Sequence, residues 1–197
     1  MIRSRAVVHN ALTLTLPRST DERGAIQVGP LQQPAKEIIR LPFGNQSSPG
    51  LAHSWHVALD SVSFVGHPNL HIPLKSVFGR IDLEPSIGLP REVARRVYET
   101  IGAKPNKLWR GGVIDCEARK SLPHLVLSVG GHKVALSTDE YSSEQHVYGY
   151  AVCVVAIVPT EEEDVAVLGT NFLNKFHAVI DIDEHELGCE CPPLVYS

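Results

Sequence analysis

The stretch Val77-Phe78-Gly79-Arg80-Ile81-Asp82-Leu83-Glu84-Pro85-Ser86-Ile87-Gly88-Leu89-Pro90 decides how this chain is read. It opens as a strand, bends through a sharp turn that carries an acidic residue, and ends where an amphipathic helix begins. Beyond Pro90 the apolar residues Val93, Ala94, Val97, Tyr98 and Ile101 recur every three or four positions, while Arg91, Glu92, Arg95, Arg96 and Glu99 take the other face. Pro90 suits a first helical turn and Gly102 a left-handed stop, so the spacing predicts one three-turn helix over 90–101. Much later, Val165-Ala166-Val167-Leu168-Gly169 reads as an apolar strand closed by a glycine.

The flanking sequence is rich in strand signals. Ala11-Leu12-Thr13-Leu14-Thr15-Leu16 alternates strictly, as a half-buried strand does. Ala25–Val28, Glu37–Leu41, Trp55–Phe64 and Asn69–Leu74 add further short strands between Gly-, Pro- and Ser-rich breaks. Leu125–Val129 and His132–Leu136 flank Gly130-Gly131, a pair able to supply the positive φ of a tight hairpin. Ala151–Val158 is continuously apolar and predicts a strand buried on both sides. Gly169–Phe176 predicts a short helix, and Ala178–Ile182 with Glu186–Gly188 a closing hairpin. The sum is a mainly β chain, a curved or barrel-like lobe with one helix of note.

The totals agree. The 197 residues are 43% hydrophobic and 20% charged, ordinary for a soluble globular protein. The net charge of −4 and scattered basic residues argue against a nucleic-acid partner. No apolar run approaches the roughly 20 residues a membrane helix needs, so no membrane partner is expected. The first residues, Met1 to His9, lack the long apolar segment of a signal peptide.

In order and spacing these pieces resemble the C-terminal lobe of pepsin-like aspartic peptidases. Gly24–Gly29, Trp55–Phe64, Cys116 followed by Leu122-Pro123-His124-Leu125-Val126-Leu127, and Leu168-Gly169-Thr170-Asn171-Phe172-Leu173 followed by Val179-Ile180-Asp181-Ile182-Asp183 are each similar to a segment of that lobe. The resemblance implies that residues 1–197 form a single lobe of the acid-protease fold, with 1–20 in the strand region that joins two lobes. It implies a disulfide between Cys116 and Cys153, the alternative being two buried thiols; such a closure would restrict the unfolded chain by about 3–4 kcal/mol. Cys189 and Cys191 are extra to the pattern and suggest no metal site. Asn45-Gln46-Ser47 is a glycosylation sequon. By resemblance the compartment is secreted or a vacuolar or endomembrane lumen.

In that family two aspartates, one from each lobe, share a proton around the attacking water, because two close carboxylates cannot both ionise; pepsin's own dyad is the standard case. The family's turn is Asp-Thr-Gly. Here Asp82 is the candidate for the catalytic position, but Leu83 stands for the Thr, Glu84 for the Gly, and Pro85 for a residue that offers an N–H. Asp82 is also one residue nearer Pro90 than the family's spacing, and an ungapped match would place Ile81 there. The alternative is an ordinary turn aspartate. Glu84, Pro85 and Val167 are expected to face the cleft. His53, His56, His67, His71 and Ser86 have no catalytic or metal setting, and Glu161-Glu162-Glu163-Asp164 reads as a solvated loop without a counterion.

The expectation is therefore an aspartic-peptidase homologue without proteolytic activity on its own and without cofactor or metal. Two alternatives stand beside it. One is an endopeptidase active only when paired with an N-terminal lobe or a second copy; the other is a protein-binding or inhibitor module on the same fold, with a protein or peptide ligand. An isolated lobe would also expose the strands that join two lobes, and Leu12, Leu14 and Leu16, or the Thr face beside them, are candidates for an apolar patch there.

Overall fold

The computed structural model describes residues 9–17, 23–29, 38–44, 54–67, 70–106 and 108–190. In chain order the strands before the first helix are β1 (Ala11–Thr15), β2 (Ala25–Val28), β3 (Ile38–Pro42), β4 (His56–Phe64), β5 (Ile72–Ile81) and β6 (Ile87–Pro90). Helix α1 (Arg91–Ile101), β7 (Lys104–Pro105), β8 (Gly112–Ile114), α2 (Cys116–Arg119), β9 (Leu125–Val129), β10 (His132–Leu136) and α3 (Thr138–Tyr141) follow. The rest comprises β11 (Ser142–Val147), β12 (Tyr150–Val155), β13 (Ile157–Thr160), β14 (Val165–Leu168), α4 (Thr170–Leu173), β15 (His177–Asp181) and β16 (Glu186–Glu190). The sequon at Asn45, His53 and Cys191 lie outside the described residues.

The chain divides into two compact units, Met1–Phe43 with Leu173–Ser197, and Gly44–Phe172. In the first, five strands form one sheet in the order β2-β1-β15-β16-β3, and every neighbouring pair is antiparallel. β1 lies between β2 and β15 rather than at an edge; Leu14 is buried, and Leu12 and Leu16 are half-buried. The expected apolar patch on β1 is therefore not there. The exposed apolar side chains of this sheet are Ile26 (68%) and Val28 (61%) on the edge strand β2.

The second unit holds a seven-stranded sheet, β10-β9-β4-β5-β14-β6-β13, and a four-stranded one, β11-β12-β8-β7. Both are open, so among the described residues the lobe is curved sheet without a closed barrel. The segments foreseen at 69–74 and 77–81 are one strand, β5, whose irregular point is Ser76 at φ 55. Beside it the pairing shifts between Leu59 and Ser61, and the carboxylate of Asp60 turns out to accept the Gly131 N–H at 2.7 Å in the β9–β10 turn.

Ala151–Val158 corrects the sequence reading. It is two strands in two sheets: β12 pairs antiparallel with β11 and β8, and β13 runs parallel to β6. Ala156 makes the crossing, its N–H donating to the Tyr141 carbonyl at 2.9 Å and its carbonyl accepting the Ile87 N–H at 2.7 Å. Cys153, Val155 and Ile157 are buried while Val152, Val154, Ala156 and Val158 are half-covered. The apolar run thus has one deep face and one shallow face, and valine satisfies both.

Helix α1 matches its periodicity: Val93, Ala94, Val97, Tyr98 and Ile101 are buried. Pro90 is the residue just before its first turn, and Gly102 closes it at φ 69 with its N–H on the Tyr98 carbonyl. Arg95 on the wet face bridges Glu92 and Glu99. The Tyr98 hydroxyl donates to the Ile157 carbonyl at 2.5 Å, and the Tyr141 hydroxyl to the Pro123 carbonyl at 2.7 Å. Cys116 on α2 and Cys153 on β12 form the expected disulfide, with Cα atoms 5.2 Å apart.

Burial pushes the phenols of Tyr98 and Tyr141 up from 10.0 to about 12. A raised pKa contributes stability below the unfolded value that is lost as pH rises through the folded one. Chemical denaturation should therefore show stability falling between about pH 10 and about pH 12, and Tyr98→Phe with Tyr141→Phe should flatten that fall. At neutral pH Tyr98→Phe alone should cost about 1–2 kcal/mol, the loss of a buried hydrogen bond.

Candidate active-site turn

The candidate turn owes its geometry to a strand from far along the chain. β14 lies between β5 and β6, parallel to the first (Leu168 opposite Ile81) and antiparallel to the second (Leu168 opposite Ile87). Strands β5 and β6 would otherwise make a hairpin; here they are parted by β14, and residues 82–86 wrap around its C-terminal end. Three backbone bonds fix the wrap. The Asp82 N–H donates to the Leu168 carbonyl at 3.2 Å, the Gly169 N–H to the Ser86 carbonyl at 3.1 Å, and the Thr170 N–H to the Glu84 carbonyl at 2.8 Å.

Gly169 is required for this approach. A Cβ at that position would lie 2.1 Å from the Glu84 carbonyl oxygen and 2.3 Å from that of Ser86, both backbone atoms that have no rotamer to escape into. A similar closeness holds one strand over, where a Cβ on Gly88 would meet the Val167 Cβ at 2.8 Å.

The side chains of the turn are engaged locally. Asp82 Oδ1 accepts the Glu84 N–H at 3.2 Å, an Asx-type turn, and Oδ2 is 3.7 Å from Arg80 Nε. Glu84 Oε2 accepts from Arg110 Nη1 at 3.2 Å. Leu83 is 57% exposed and Pro85 is exposed, whereas Val167 is buried against Gly88. The structure thus brings Asp82, Glu84, Pro85 and Ser86 together with Val167–Gly169.

Arg110 was not legible as a partner, since 26 residues separate it from Glu84. Trp109 is half-buried and Leu108 is 90% exposed beside it in the chain. None of the other titratable candidates touches Asp82 or Glu84 among the bonds described, and the buried Nε2 of His56 has no hydrogen-bond partner among the described residues. His56 is buried, with Nδ1 3.1 Å from the Ser54 carbonyl and its ring edge-on to Phe78. His67 and His71 are exposed. Glu161 does have a counterion, Arg91 at 2.7 Å, contrary to the reading of an unpaired acidic run.

The model of the family described as eukaryotic aspartyl protease matches residues 1–190. The chain belongs to that family. It is 29% identical over 136 residues to the vacuolar aspartic protease of Candida albicans, covering 68% of this chain and 31% of the relative. It is 31% identical over 107 residues to the probable vacuolar protease A of Trichophyton verrucosum, covering 52% and 25%. With cathepsin D of Bos taurus it shares 30% over 104 residues, covering 50% and 26%. The chain therefore spans between 25% and 31% of the length of these relatives. The crystal structure of an aspartic proteinase from Irpex lacteus superposes with a TM-score of 0.77 at 15% identity, covering 97% of this chain and 59% of that one. The fold is that of a pepsin-like lobe.

Within this aspartyl protease lobe, Gly169→Ala should cost about 3 kcal/mol or more in urea denaturation, because the clash is with fixed backbone. Leu83→Ala, on a side chain that is mostly in water, should stay within about 0.5 kcal/mol of the parent in the same experiment. Arg110→Ala breaks an exposed ion pair and should cost no more than about 1 kcal/mol.

Proposed function

We propose that this chain is a C-terminal-type lobe of an aspartic peptidase homologue that does not hydrolyse peptide bonds on its own. The observation that carries this reading is the turn Asp82-Leu83-Glu84-Pro85. Water activation in the family needs two carboxylates that face each other and share a proton. Asp82 spends one oxygen on the Glu84 N–H and has Arg80 near the other. Glu84, the other acid of the turn, is held by Arg110. Leu83 brings no hydroxyl to brace a partner turn, and Pro85 no N–H to orient a water. Family relatives named vacuolar, together with the Cys116–Cys153 disulfide, support an oxidising lumenal compartment, vacuolar or secreted.

A second reading is favoured by one observation. Leu83 and Leu108, 57% and 90% exposed, belong to the segments joined by the Glu84–Arg110 pair. Exposed apolar side chains on these two segments are suited to association, whether with a separate lobe that brings its own aspartate or with a protein ligand. In the first of these cases the chain is one half of an endopeptidase; in the second it is a binding module.

Incubating the purified chain with unfolded protein at acid pH should give no cleavage, and restoring the family residues with Leu83→Thr and Glu84→Gly should not create it while the chain is alone. Pepstatin-sensitive cleavage by the unaltered chain would overturn the first reading. Light scattering separates the two: a monomer supports the isolated lobe, and a dimer that dissociates in Leu83→Asp supports association through the turn.

A further inference from the structure

His9 stands at the start of the first sheet with both ring nitrogens turned towards carboxylates. Its Nε2 is 2.8 Å from Asp181 Oδ2 and its Nδ1 is 3.5 Å from Asp183 Oδ2. Asp181 ends β15 and is mostly buried; its other oxygen accepts the N–H groups of Asp183 at 3.1 Å and Glu184 at 3.0 Å, which shapes the β15–β16 turn. Asp183 accepts the backbone and side-chain N–H of Asn10, each at 2.8 Å. The Ile182 N–H donates to the Asn10 carbonyl at 2.9 Å. Among the described residues, the charged groups around the imidazole are Asp181, Asp183 and Glu184, with His185 beside Asp183.

This arrangement fits only one protonation state. A neutral imidazole carries one N–H, so donating to Asp181 leaves a lone pair at Nδ1 pointed at the Asp183 carboxylate. The imidazolium has a proton for each and a charge to match. We propose that His9, Asp181 and Asp183 form an acid-set clasp, which fastens the segment leading into β1 onto the β15–β16 turn and loosens as the imidazole loses its proton.

The directions of titration agree. The hydrogen bond to Asp181 raises His9 above its usual 6.5, helped by the surrounding carboxylates. For Asp181, burial pushes upward but is outweighed by the N–H of Glu184 and by His9, and the carboxyl ends below its usual 3.8. Asp183 is lowered as well, chiefly by the Asn10 N–H. The raised His9 contributes fully below 6.5 and its share is lost as pH climbs through its pKa; the lowered aspartates contribute above 3.8 and lose theirs as pH falls through their own. The clasp is complete between those two values, an acidic window. It is independent of whether the Asp82 turn has any chemistry.

The test is a histidine titration of the whole chain by NMR, with the His9 resonance assigned by its absence in His9→Gln. The midpoint should lie above 6.5 in the parent and fall in Asp183→Asn, which leaves the buried Asp181 in place. Hydrogen exchange of the Ile182 amide, corrected for the intrinsic rate, should be severalfold faster at about pH 8 than at about pH 5 in the parent, and equal at the two in His9→Gln. A His9 midpoint at or below 6.5, or the same pH dependence of exchange in parent and His9→Gln, would overturn the clasp.

Discussion

The insertion of β14 between β5 and β6 is the constraint on which the rest of the second unit depends. Neither β5 nor β6 touches the other across a ladder; each is completed by a strand that arrives after Val165. The seven-stranded sheet is continuous only once that strand is in place, so its two sides are joined by a long-range pairing of the kind that carries a large loop-closure cost. What meets the cost is backbone hydrogen bonding on both edges of β14, together with the burial of Val165, Ala166 and Leu168. Gly169 then lets the turn close over the strand end without a side chain in the way.

A second set of ties holds the four-stranded sheet to this one, and they converge on the crossing at Ala156. The same residue bonds Tyr141 on one side and Ile87 on the other. The Tyr98 hydroxyl reaches Ile157 one residue further, so the helix that begins where the turn ends is anchored at the sheet crossing. The disulfide at Cys153, inside β12, ties that strand to α2. Turn, helix and crossing form one circuit, and a change in the length of β6 would be felt at all three.

What the sequence disclosed follows from which interactions are local. Helix α1 was legible because its buried and wet faces alternate within a dozen residues, and the Gly130-Gly131 turn because both glycines adopt positive φ, 53 and 81. The Cys116–Cys153 pairing came from resemblance; nothing in the spacing would have chosen it. The sheet change at Ala156 was hidden, since valines on a shallow face and a deep face look alike in a string of letters. β1 was found as a strand, but its strict alternation suggested one wet face, whereas Ala11 and Thr13 on one face and Leu14 on the other are all buried. The candidate turn was located correctly beside Val167–Gly169, yet the partners that occupy its acids, Arg80 and Arg110, could not be assigned without the fold.

The division of labour inside the turn separates the backbone bonds that hold the scaffold from the side chains that residues 82–85 present. The bonds that hold residues 82–86 to β14 run through the amides of Asp82, Gly169 and Thr170 and the carbonyls of Glu84, Ser86 and Leu168. None of them consults the side chain of residue 83, 84 or 85. Leu83 and Glu84 leave every one of those backbone bonds available whatever their side chains carry. Pro85 removes one N–H, and in this turn no carbonyl of β14 asks for it. The glycine that the fold does need is on the opposing strand, at 169, where it is retained. Side-chain changes at 83 or 84 are therefore open to this turn at little cost to folding, whereas a single methyl at 169 strikes two carbonyls at once.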